Sequence, residues 1–229
     1  HCRAHNCDSG LYDKAQGSIG NIFRRNLVTE CFHGFVVLQS PWDSPEVYEN
    51  IISSTLSEPV FTFDTNGVRA LNPTIYNNVF YQSPGTTDAM VLRGQTSATT
   101  NLECYNNIIH NVGGSRTIRH ELTVNVLTHN YNCYHSAFSA TRHGTNSGSL
   151  AAWNATWGFD ANSFVDDPEF VDAAGGNFHL SATSPCRGTG VAGEDIGAYP
   201  RDDDTVIGPR SGVSPPPSPS PSAPSPILL

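Results

Sequence analysis

The sequence predicts an all-β solenoid, and three observations carry that expectation. An asparagine followed by β-branched or aromatic residues returns five times. It reads Arg25-Asn26-Leu27-Val28, Glu49-Asn50-Ile51-Ile52, Asn77-Asn78-Val79-Phe80, Asn106-Asn107-Ile108-Ile109 and, more weakly, Tyr131-Asn132-Cys133-Tyr134. The steps between these asparagines are 24, 28, 29 and 25 residues, a period typical of units that bury their apolar faces only by stacking on a neighbour. Apolar residues come in short runs bounded by Gly, Pro, Ser and Asn, which is the pattern of strands rather than helices.

Taken in order, each unit offers the same parts. One run precedes the marker: Ile22-Phe23, Val47-Tyr48, Ile75-Tyr76, Leu102 to Tyr105, and Val126-Leu127. A second lies between markers, as in Phe35 to Leu38, Val60 to Phe63, and Met90 to Leu92. Two or three short strands in each unit leave no room for a helix, so the rest of the coil supplies the crossover that parallel strands need. Cys7 to Tyr12 aligns with Cys31 to Val36 at a step of 24. His1 therefore already lies inside a coil, and the chain is expected to be a processed product or a piece of something longer.

These repeats resemble the right-handed parallel β-helix family, a prism of three stacked sheets. The resemblance implies an internal ladder of amides at Asn26, Asn50, Asn78 and Asn107. A buried asparagine without partners costs roughly 1–3 kcal/mol, so stacking is what makes such a position tolerable. Residues 151–164, with Trp153 and Trp157, are expected to form an irregular coil or lid. The succession Asp167-Pro168-Glu169-Phe170-Val171-Asp172, Asn177 to Leu180, Ser184-Pro185 and Asp195 to Tyr199 looks like the closing segment that ends the stack in many secreted β-helix proteins. The expected organisation is one elongated domain over residues 1–199, an acidic linker over 200–213, and a Ser/Pro-rich polyproline II stalk over 214–229.

The net charge of −9, with Lys14 as the only lysine, argues against nucleic acid and anionic membranes as partners. No apolar run approaches the ~20 residues of a membrane span. Six cysteines fit an oxidising compartment. Cys7 and Cys31 occupy equivalent positions one coil apart, and stacked strands about 4.8 Å apart fall within the Cα range of a disulfide. Cys104 and Cys133 are a second near-equivalent pair. Cys2 and Cys186 lie near opposite ends of the stack and are not expected to join each other. No paired C-x-x-C spacing suggests zinc, and no cofactor is expected.

Asn154-Ala155-Thr156 is an N-glycosylation sequon in what reads as an exposed loop. The run Ser214 to Pro226 resembles the hydroxyproline-rich glycoprotein modules of green algae and plants. That resemblance implies modification at Pro215, Pro216, Pro217, Pro219, Pro221, Pro224 and Pro226, with Ser218 and Ser220 as further sugar sites. Trp42, Trp153, Trp157 and the tyrosines are candidate sugar-stacking residues, with plugging of the solenoid as the rival role of Trp153 and Trp157.

Catalysis has weaker support. The stretch around His33-Gly34 is similar to a coil of the polygalacturonase-type glycosidases. These need two carboxylates roughly 6.5–9.5 Å apart, but Ser9 follows Asp8 where an aspartate pair is required. Asn66 to Arg69 resembles that family's substrate-binding segment, yet Leu71 stands where a lysine belongs. Arg116, Arg119 and His120, with His110 and His129 on nearby coils, form the best basic patch for a lyase. The expectation is therefore a non-catalytic structural or adhesive module of an extracellular glycoprotein, such as a cell-wall, surface or ciliary-fibre (mastigoneme) component. Its expected partners are other glycoprotein chains or glycans, including its own kind in a filament. A polysaccharide lyase or glycoside hydrolase, or a carbohydrate-binding domain, is the alternative.

Overall fold

The computed structural model describes residues 3–13, 19–38, 42–53, 61–64, 70–82, 88–93, 101–111, 116–121, 126–136 and 138–200. The Ser/Pro-rich segment, with its proline and serine modification candidates, and Cys2 lie outside the described residues.

Among the described residues three large sheets are parallel almost throughout, and a short parallel pair joins Trp42–Asp43 to Ala70–Leu71. Sheet I contains Arg3–His5, Leu27–Thr29, Ile51–Ser53, Val79–Gln82, Ile108–Asn111, Cys133–His135 and Phe164–Val165. Sheet II contains Ser9–Asp13, His33–Leu38, Phe61–Asp64, Asp88–Arg93, Arg116–Glu121, Ala140–Arg142 and Thr145–Ser147. Sheet III contains Ile22–Arg24, Glu46–Tyr48, Thr74–Tyr76, Leu102–Tyr105 and Val126–Asn130. Each strand pairs with its counterpart one repeat later, so Val28, Ile52, Phe80, Ile109 and Tyr134 follow one another in register across sheet I. These residues join Val47, Ile75 and Leu102 from sheet III and Met90, Leu92 and Ile118 from sheet II in one buried core.

The recurring asparagine marks the corner from sheet III to sheet I. The residue before it is left-handed in every repeat, with φ of 54° at Arg25, 53° at Glu49, 51° at Asn77, 54° at Asn106 and 56° at Tyr131. Such φ values cost a non-glycine residue energy unless its surroundings hold it. Here the following amide does so. Asn26 Nδ2 donates to Asn50 Oδ1 (2.8 Å), Asn50 Nδ2 to Asn78 Oδ1 (2.9 Å), and Asn78 Nδ2 to Asn107 Oδ1 (2.9 Å). The ladder continues one step beyond the expected four, from Asn107 Nδ2 to Asn132 Oδ1 at 3.2 Å.

Two departures from the sequence-based expectation stand out at the C-terminal end. Residues 151–164 are not an irregular coil throughout, because Leu150–Trp157 forms a helix, α1. Its N-cap is Ser149, which accepts from Ala152 N, and its C-cap is Gly158, at φ 72°. Both are ordinary capping signals that the Trp-rich composition obscured. The following segment does not simply end the stack. After Phe164–Val165 it turns back, forms the antiparallel pair Phe170–Asp172 with Asn177–Leu180, and lies along the outer face of sheet I. Phe178, Leu180, Cys186, Ile196, Ala198 and Tyr199 pack there on Ile51, Val79, Ile108 and Cys133. Both faces of the middle strands of sheet I, such as Ile51–Ser53 and Ile108–Asn111, are therefore buried, which explains why they read as continuous apolar runs rather than alternating ones. Sheet II ends differently. Ala140–Arg142 pairs antiparallel with Thr145–Ser147 through His143 and Gly144, both at positive φ, as a two-residue hairpin turn requires.

Candidate functional site

The densest polar arrangement sits where the amide ladder stops. A ladder in which every amide donates in the same direction finishes with an Nδ2 that needs a strong acceptor. Asp160 supplies it, since Asn132 Nδ2 donates to Asp160 Oδ1 at 3.2 Å. The same carboxylate accepts from Tyr134 OH (3.0 Å), Ser163 Oγ (2.5 Å), Trp153 Nε1 (3.0 Å) and His129 Nδ1 (2.8 Å). Helix α1 brings Trp153 to this point, and the turn after Gly158 brings Asp160. Burial pushes the Asp160 carboxyl upward, but the charge and hydrogen bond of His129 and the bonds from Ser163 and Asn132 outweigh it and hold it below the usual range. Burial likewise depresses His129, and the Asp160 charge more than reverses this, leaving its pKa well above the usual histidine value. The pair is an imidazolium and a carboxylate at neutral pH.

Cys104 is the register partner of His129 in sheet III and bears on the same ring. Cysteine, histidine and aspartate in this order are the parts of a nucleophilic triad. The surroundings do not allow it to act as one. Cys104 is 0 % exposed, His129 2 % and Asp160 3 %, so no reactant reaches the sulfur. His129 Nε2 finds no well-formed hydrogen bond, and Asn107 Nδ2 points at the Cys104 sulfur from 3.5 Å. The chemistry available here is closure of the interior.

Arg116 and Arg119 of sheet II are paired with carboxylates rather than displayed. Arg116 Nε binds Asp88 Oδ1 at 2.7 Å, Arg119 NH1 lies 3.8 Å from Asp88 Oδ2, and Arg119 Nε binds Glu121 Oε1 at 2.7 Å. His120 points inward beside Phe159 and neither ring nitrogen has a hydrogen-bond partner among the described residues. Burial holds its pKa well below the usual value, with His129 and Arg142 adding. His110, on sheet I, packs between the tilted rings of Tyr81 and His135, with centroids 4.3 and 4.2 Å away. Burial, with His135 adding, brings it down to about 4. The five residues of the suspected basic patch thus divide among three sheets and two sides of the sheet walls.

Periodic surface chemistry is found instead on sheet III. Tyr48, Tyr76 and Tyr105 stack in successive strands with ring centroids 4.8 and 5.3 Å apart. Arg24 NH1 donates to Tyr48 OH (3.2 Å), and Tyr76 OH donates to Glu46 Oε2 (3.3 Å). Burial raises the Tyr105 phenol, with Glu103, Glu194 and Glu46 adding. The rings face one another, so the strip offers half-buried edges and hydroxyls beside carboxylates. The sequence marks the tyrosines as candidate sugar-stacking residues without singling out this row, although Tyr48, Tyr76 and Tyr105 each stand two residues before a marker asparagine.

The remaining candidates divide. Trp153 is fully buried and plugs the interior against Tyr134, Phe138 and Phe159 through the core they share, so it offers no face to a sugar. Trp157 is partly buried under Arg142, whose guanidinium lies 4.9 Å from its ring. Asn154 lies in α1 rather than in a loop, and its Nδ2 donates to Phe159 O at 2.7 Å. Cys104 and Cys133 are corrected as a pair, because the former is on sheet III opposite His129 and the latter on sheet I opposite Ile108. Cys7 and Cys31 stand at equivalent positions of adjacent repeats, with Phe32 N donating to Cys7 O at 2.9 Å. His33 N donates to Asp8 O, while Asn66 to Arg69 lie outside the described residues. Comparison with known protein families, curated proteins and solved structures finds no match.

Proposed function

We propose that this chain is a non-catalytic structural or adhesive module of an extracellular glycoprotein. In this proposal the three sheets are the walls of a right-handed parallel β-helix, the outer C-terminal segment braces one wall, and the Ser/Pro-rich segment is a glycosylated polyproline II stalk. The observation that supports it best is the sealing of the reactive side chains: Cys104, His129 and Asp160 are buried together, and Arg116 and Arg119 are matched by Asp88 and Glu121. A lyase or hydrolase acting on an acidic polysaccharide needs such groups open to a chain-length groove. Cys7 and Cys31 suit a disulfide in an oxidising compartment.

A second reading, carbohydrate binding, is favoured by the strip of Tyr48, Tyr76 and Tyr105 with Glu46 and Glu103. It moves the candidate contact away from Trp153. Two measurements separate these readings. Peptide mass spectrometry of the native protein is expected to find hydroxyproline with attached sugars between Ser214 and Pro226, and bare prolines would count against the stalk. Affinity electrophoresis against neutral and uronate-containing polysaccharides is expected to show no retardation that Tyr76→Ala abolishes. Retardation lost in that variant would favour the binding domain, and release of unsaturated or reducing ends would favour an enzyme.

A further inference from the structure

We propose that Cys133 and Cys186 form a disulfide that fastens the outer C-terminal segment to sheet I. Cys133 stands on the outer side of sheet I, in register between Ile108 and Phe164, and is fully buried. Cys186 is equally buried and belongs to the same apolar cluster as Ile108, Phe178, Leu180 and Ile196. Both side chains lie in this one cluster, and Cys186 is the side-chain neighbour that acts most strongly on the Cys133 thiol. The backbone around them is already fixed on both sides. Ile196 N donates to Cys186 O at 2.9 Å, Cys186 N to Ser184 Oγ at 3.2 Å, and Cys133 N to Asn107 O at 2.9 Å. No third His, Cys, Asp or Glu among the described residues joins them as a metal site.

The placement gives the bond a purpose. Among the described residues the outer segment has one short hairpin, and it is held by apolar contacts on sheet I, by Asp166 N donating to Tyr134 O at 3.0 Å, by Asp167 beside His135, and by two bonds at the Asn106 corner. Those bonds run from Val191 N to Asn106 Oδ1 and from Gly197 N to Asn106 O, each 2.9 Å. A covalent link near the middle of the segment closes a loop of about 50 residues, long enough for the cross-link to restrict the unfolded chain strongly.

The oxidant is a small-molecule disulfide of the glutathione class. The thiolate of one cysteine attacks it, forming a mixed disulfide and releasing one thiol. The second protein thiol then displaces the other, so two protein thiols lose two electrons and two protons and one small disulfide becomes two thiols. The neighbouring Cys186 sulfur and burial push the Cys133 thiol far up.

The test is refolding of the reduced full-length chain in a glutathione redox buffer, followed by denaturing alkylation and a non-reducing peptide map. The expected result is a linked pair of peptides carrying Cys133 and Cys186, both protected from the alkylating reagent. Alkylation of both, or a link from Cys133 to Cys104 or Cys2, overturns the proposal. Limited proteolysis within residues 166–199 gives an independent readout. Reductant is expected to speed cleavage at least several-fold in the wild type and not in the Cys133→Ser/Cys186→Ser double variant. Equal acceleration in both would also overturn it. Neither readout depends on whether the molecule is structural, sugar-binding or catalytic.

Discussion

At the scale of single residues, the buried polar groups differ in whether their partners are complete. Asp160 is saturated, with five donors converging on it. Removing one member of a buried charge pair leaves the other uncompensated and typically costs about 3–5 kcal/mol. Asp160→Ala is expected to lose that much in urea unfolding, and Asp160→Asn less, because it keeps an acceptor for Asn132 and Ser163. His120 is the opposite case. Both of its ring nitrogens are buried without a partner among the described residues, next to Leu92 in register and Phe159. An unsatisfied buried polar group costs about 1–3 kcal/mol, so His120→Leu is expected to raise the unfolding midpoint. A drop in midpoint would mean that this ring holds a partner of its own.

At the scale of elements, the amide ladder and the outer segment do different jobs. Each interior ladder amide serves its neighbours twice. Asn78 Oδ1 accepts from both Asn50 N and Asn50 Nδ2, while its own Nδ2 donates onward to Asn107 Oδ1 and to Tyr76 O and Val47 O. Asn78→Ala is expected to cost about 3 kcal/mol by leaving several buried groups unsatisfied, and Asn26→Ala, at the start of the run, clearly less. The seat of the outer segment depends on Gly197. Its φ is 111°, and a Cβ there would lie 2.7 Å from Ile108 Cδ1. Gly197→Ala is expected to loosen the segment, read as faster proteolysis of residues 166–199. Trimming Ile108 to Val should recover only the steric part, because the backbone strain remains. The ladder was legible in the sequence because a repeating asparagine before β-branched residues is a periodic signal. Its terminus was not, because Asp160 follows the last repeat in a segment with no period to align. The outer segment was recognisable as Asp167 to Asp172 and Asp195 to Tyr199. Its position on sheet I was not, because apolar runs with both faces buried do not say what covers the second face. The pairing of Cys104 with Cys133 failed for a related reason: a step of roughly one coil does not distinguish two sheets that meet at a two-residue corner.

At the scale of the whole molecule, these groups set how stability depends on pH, and their signs oppose one another. His110, brought down to about 4, binds its proton more weakly folded than unfolded, where its value is about 6.5. Its contribution is therefore full above pH 6.5 and is lost as pH falls toward 4, an effect of about 3 kcal/mol at most. His120 acts in the same direction. The groups facing His110 are His135, Tyr81 and, through His135, the Asp167 carboxylate 3.5 Å from that ring. Asp160, held low, adds stability above its unfolded value near 3.9 and loses it only as pH falls through its folded value. His129 runs the other way. Raised by Asp160, it contributes fully below pH 6.5 and loses that contribution as pH rises through its folded value. Above about pH 6.5 His110 and His120 add nothing further while His129 begins to lose its contribution, so the molecule should be most stable close to neutral pH and lose stability from about pH 6.5 toward 4. Urea unfolding at several pH values across that window checks this. In His110→Phe, which keeps an aromatic ring between Tyr81 and His135, the acid slope should fall by close to one proton. An unchanged slope would place the acid sensitivity in His120 and the Asp160 closure instead.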